Sequence, residues 1–60
     1  MNAVEIQTHA KKLYEAHGAK ALAEAADKAR RFEQSGDEGQ ARDWRLIGKA
    51  LQQLSGPRAS

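Results

Sequence analysis

Cysteine does not occur in the chain, which excludes disulfides and thiolate metal sites and suits a reducing cytosol. The only proline, Pro57, follows Gly56, and the pair marks the stop of a last helix. Aromatic residues are limited to Tyr14, Phe32 and Trp44, and the other large apolar side chains are few. No apolar run approaches the ~20 residues of a membrane span. Residues Met1 to Glu5 have neither the basic start nor the apolar stretch of a secretory signal, so a cytoplasmic protein is expected. There is no low-complexity tract, linker or strand-like alternation. Single-sign charge is missing too: ten basic and eight acidic residues, interleaved, give +2. That pattern describes a solvated helix surface better than a polyanion-binding stripe.

What the chain does have is alanine and helical periodicity. Ala21 to Phe32 on one side and Ala41, Trp44, Ile47, Ala50, Leu51 and Leu54 on the other repeat apolar residues at three- and four-residue spacing. Between them lies Ser35-Gly36-Asp37. Gly36 can adopt the left-handed conformation that ends a helix, and Asp37 can cap the next one, with Gln40 three residues on completing a capping box. The short connection predicts an antiparallel helical hairpin.

Asn2 with Glu5 three residues later forms another capping-box pattern and predicts a helix from Ala3, with Ala3, Ile6, Ala10, Leu13, Tyr14 and His17 on one face. Gly18 interrupts it. At about 100° per residue, the stripes Ile6-Ala10-Leu13-His17 and Leu22-Ala25-Ala29-Phe32 point roughly a quarter-turn apart, which favours a break at His17-Gly18. Ala19 is a poor N-cap, so one kinked helix from Ala3 to Gln34 is the alternative. The pairs Lys20/Glu24, Glu24/Lys28 and Asp27/Arg31 have the spacing of stabilising helix ion pairs. The expected fold is all-α: a small bundle of three helical segments over 3–17, 19–34 and 38–54, in one domain spanning 1–60, with 56–60 a loose tail. Gly48 inside the last segment suggests that another helix passes close there.

No arrangement of residues calls for catalysis or a cofactor. A glycine-rich phosphate loop, a cysteine nucleophile and a Ser/His/acid grouping are all missing, and a hairpin of this size offers little concave volume. Glu5 and His9 lie one helical turn apart, but His17 is roughly 12 Å further along the axis, too far to complete a metal site. His9 is expected at the surface and His17 partly packed. A chain of 60 residues buries only about 60% of its unfolded surface, so so thin a core points to self-association or a partner. The leading expectation is therefore a non-catalytic protein–protein interaction or self-association module, as a homodimer or with a protein partner. Phe32, Trp44, Ile47, Leu51 and Leu54 would carry core or interface, with Trp44 packed against Phe32 across the turn. Leu46 lies off the buried stripe and is expected to be exposed. The alternative is a small basic nucleic-acid-binding protein using Arg42, Arg45 and Lys49, which share one side of the last helix. Against it, Glu38 and Asp43 lie among these cations, and the helix lacks a base-reading set of polar residues.

The run Glu33-Gln34-Ser35-Gly36-Asp37, followed by Ala41, Trp44, Ala50-Leu51 and Pro57, resembles the central part of a tetratricopeptide repeat. It departs from that motif in placing Trp44 three rather than four residues after Ala41, and only one repeat would fit. Over nearly its whole length the chain also resembles a group of short proteobacterial, alphaproteobacterial-type, all-helical proteins of unknown function. The resemblance rests on His9-Ala10-Lys11-Lys12-Leu13-Tyr14-Glu15-Ala16-His17-Gly18, on the turn with Trp44, and on Gly56-Pro57-Arg58-Ala59-Ser60. It implies a bacterial helical protein and carries no site.

Overall fold

The structure, a computed structural model, describes residues 1–54. Three helices follow one another: α1 (Ala3–His17), α2 (Lys20–Gln34) and α3 (Glu38–Leu54). The protein is a small all-α bundle, and the sequence-predicted segments agree with it to within one residue. The expected stop at Gly56-Pro57 and the tail over 56–60 lie outside the described residues.

Local capping explains the agreement. The Asn2 side chain accepts the Glu5 N–H at 2.9 Å, and Glu5 Oε1 accepts the Asn2 N–H at 3.2 Å, so the first capping box is complete. At the hairpin, Gly36 has φ +85°. The Asp37 N–H bonds to the Phe32 carbonyl at 2.9 Å and the Gly36 N–H to that of Glu33 at 3.1 Å. These two bonds make a Schellman motif, which satisfies carbonyls that the end of α2 leaves open. Asp37 Oδ1 then accepts the Gln40 N–H at 3.1 Å and starts α3.

The chain breaks at Gly18 rather than running on as one kinked helix. Gly18 has φ 62° and ψ −139°, a region glycine reaches without a Cβ clash, and its N–H still closes α1 on the Tyr14 carbonyl. Ala19 offers no side-chain cap. Tight i→i−3 bonds take its place: the Ala21 and Leu22 N–H groups donate to the carbonyls of Gly18 and Ala19 at 3.0 and 3.3 Å.

Packing is dominated by the α2–α3 hairpin; α1 lies mainly on α3 and touches α2 least. The contacts Ala25 with Gly48 and Lys28 with Trp44 run in opposite senses along the two helices, as an antiparallel pair requires. Among the described residues nine apolar ones are buried, six of them alanines, and Ile47 and Leu51 are the only large side chains completely covered. Ala21, Ala25 and Ala29 form the inner face of α2, which keeps Ala25 and Ala29 of the expected Leu22-Ala25-Ala29-Phe32 and turns it by roughly 20° toward Ala21. The reason is steric: a methyl lets the helix axes approach, whereas Leu22 is long enough to pack on the cluster from the flank; Phe32, expected in the core, is half-buried but does not join the cluster. Of the α1 face, Ile6 and Ala10 are buried and Leu13 and Tyr14 pack at the edge, while Ala3 and His17 are exposed.

Gly48 is where the hairpin helices come close, and a Cβ built there would stand 3.9 Å from the Ala25 Cβ, an ordinary contact. Gly48→Ala therefore removes the helix-interior penalty of glycine and should stabilise the fold by about 0.5–1 kcal/mol. That corresponds to a Tm rise of roughly 2–8 °C. Gly36→Ala, at its left-handed φ, should lower stability by about 1–2 kcal/mol. Thermal melts followed by circular dichroism read both; a lower Tm for Gly48→Ala would contradict the room for a methyl between the two helices there.

Candidate functional site

Trp44 sits where all three helices meet. Its ring is half-buried and lies 5.2 Å from the His9 ring of α1, centroid to centroid, at an interplanar angle of 59°. From α2 the Lys28 ammonium stands over the indole at 5.4 Å, a cation–π distance. The expected partner was Phe32, but among the described residues no ring contact joins it to Trp44. Phe32 lies one turn nearer the end of the hairpin than Lys28, and at the level of Trp44 it is Lys28 that faces the indole. The two histidines exchange their expected places as well. His9 is half-buried on the indole; His17 is exposed, with Nδ1 3.3 Å from Glu24 Oε2 across the α1–α2 corner. Glu24 and Lys28 are thereby drawn to other helices, and the ion pairs within α2 are those of Asp27 with Arg31 at 2.9 Å and with Arg30 at 3.1 Å.

The other core or interface candidates separate into two groups. Ile47 and Leu51 belong to the buried cluster, and Leu54 packs against it while half-covered. The apolar side chains left in water lie elsewhere: Val4 is 74% exposed, Met1 50% and Leu46 38%. Met1 lies between them, flanked by Val4 on one side and by Leu46 on the other, so the patch bridges the start of α1 and the middle of α3. Its N-terminal ammonium lies 3.5 Å from Asp43 Oδ2. Across Lys49, which borders both hollows, a shallow groove of about 320 Å³ runs between α2 and α3, walled by Leu22, Ala26, Ala29, Trp44 and Gly48.

Arg42, Arg45 and Lys49 are all exposed along one edge of α3. Arg45 forms an ion pair with Glu33, and Glu38 shares the surface hollow of Glu33, Arg42 and Arg45. Lys49 borders the apolar groove. Among the described residues no three His, Cys, Asp or Glu side chains come together as a metal site, and no helix is long and apolar enough to cross a membrane.

The sequence offers no signal for the His9–Trp44–Lys28 cluster, because periodicity locates apolar faces and these two neighbours are polar residues at the edges of theirs. The Leu22–Gly48 groove was signalled only by Gly48. No protein-family model, curated protein or solved structure matches the chain.

If the His9 ring covers the indole, His9→Ala should shift Trp44 emission to the red and lower stability by about 0.5–1.5 kcal/mol, the worth of an aromatic pair. Trp44 is the only tryptophan, so the emission has a single source. Unchanged emission and unchanged denaturation would contradict the arrangement.

Proposed function

We propose that the chain is a non-catalytic helical module that works through contact with another protein or a second copy of itself. The observation that carries this reading is the distribution of apolar surface. A fold with only Ile47 and Leu51 as completely covered large side chains leaves Met1, Val4 and Leu46 in water and an apolar groove open between α2 and α3. A domain of this size gains stability from every apolar contact it can make, so large side chains held outside the core point to a surface completed by association. The nucleic-acid alternative has weaker support, because Glu33 and Glu38 stand among the cations that would have to meet phosphate.

The test compares the wild type with a Val4→Asp/Leu46→Asp/Ala26→Glu variant, all three positions being exposed. Affinity capture from the source cells and sedimentation equilibrium are run on both. The expected result is an associating protein, foreign or a second copy, that the wild type retains and the variant loses while its helical circular dichroism persists. Identical captured proteins together with a monomeric wild type would contradict the reading.

A further inference from the structure

Beside the α2–α3 groove runs the basic edge of α3, and together they define an occupant. The floor and walls are apolar and low: Ala26 and Ala29 from α2 and Gly48 from α3, with Leu22 at one end and Trp44 at the other. Arg45 and Lys49 border it on the α3 side, and Arg42 lies one turn from Arg45 on the same edge. No acidic partner of Lys49 occurs among the described residues, whereas Arg45 is held by Glu33 and Arg42 shares a hollow with Glu33 and Glu38. From Leu22 to Ala29 the groove spans eight residues of α2, about 10 Å, or two turns of a helix laid along it.

From this placement we infer that the groove receives an acidic amphipathic helix of another protein, a partner that names more closely the interaction proposed above and rests on that reading. Apolar side chains at i, i+4 and i+7 of that helix lie over Ala26, Ala29 and Gly48, where small residues let a third helix axis approach. Its carboxylates face Lys49, the cation of the groove rim that Glu33 does not hold, and that pairing sets the orientation. A second copy of this chain suits the groove less well. The helix face that displays Val4 carries Glu5 and Glu15 beside Lys11 and Lys12, so it brings no net negative charge to Lys49. Nucleic acid is disfavoured by Glu33 and Glu38, which stand among Arg42 and Arg45 where phosphates would have to lie. A bilayer surface calls for projecting bulky side chains, and this site is concave.

The experiment uses the full chain and a synthetic helical peptide with leucines at i, i+4 and i+7 flanked by glutamates. A counterpart with lysines in place of those glutamates and a short DNA duplex serve as comparisons. Binding is read from Trp44 emission and from amide NMR shifts. The glutamate peptide should give saturable shifts centred on Ala26, Ala29 and Gly48, and the lysine peptide none. Lys49→Glu and Ala26→Glu, both at exposed positions, should each weaken binding about tenfold with helicity retained. Equal binding of the two peptides, no binding of the glutamate peptide, or tighter binding of the duplex at the same amides would overturn the inference. Shifts centred on Met1, Val4 and Leu46 would also overturn it while leaving the protein-interaction reading in place, which falls only to the capture experiment.

Discussion

The close approach of α2 to α3 is the constraint from which the other features of this protein follow. A chain with few large apolar residues cannot fill a wide space between helices, so it brings them together over methyl groups and a glycine. Ala21, Ala25 and Ala29 contribute little transfer free energy one by one, at about 0.8 kcal/mol per buried carbon. Their smallness lets Ile47 and Leu51 be enclosed completely, and those two residues contribute about 1.5–3 kcal/mol each. The Schellman turn at Gly36 and the Asp37 cap hold the two helices in register for this contact.

Once α2 and α3 are drawn together, α1 has one role left to it, which is to cover the remaining side of α3. It does so with Ile6 and Ala10 and with the His9 ring tilted against Trp44. The indole is thus a wedge shared by three helices: an aromatic body against imidazole on one side and a lysine ammonium on another. The side of the hairpin away from α1 receives no such cover. There the same small residues that permit close packing leave a shallow groove, and the cations of α3 stand along its edge. The scarcity of bulk that shapes the core therefore also shapes the surface on which the functional reading rests.

Much of this fold is legible in the sequence because its boundaries are made locally. Asn2-Glu5 and Asp37-Gln40 are capping signals that need no tertiary information, and Gly18 and Gly36 end helices where the backbone turns to positive φ. The α3 stripe is also legible, since Ile47, Ala50 and Leu51 recur at helical spacing and all face inward. The inner face of α2 is less so. Hydrophobicity points to Leu22 and Phe32, whereas close approach selects Ala21, and that choice depends on a neighbouring helix that periodicity does not contain. Trp44 shows the same limit, because its partners come from the polar margins of α1 and α2. Arg42, Arg45 and Lys49 are legible as one edge of a helix; the apolar groove beside them, and the hold of Glu33 on Arg45, arise only when the hairpin closes.

The central claim is that the α2–α3 hairpin is the stable unit and that α1 is secured on it by the fewer contacts it makes. Native-state amide hydrogen exchange tests this most directly. The account predicts the slowest exchange at Ala25, Ala29, Ile47 and Leu51, with the amides of α1 opening at a lower free energy than those of the hairpin. Uniform protection across the three helices, or α1 as the last to exchange, would contradict it.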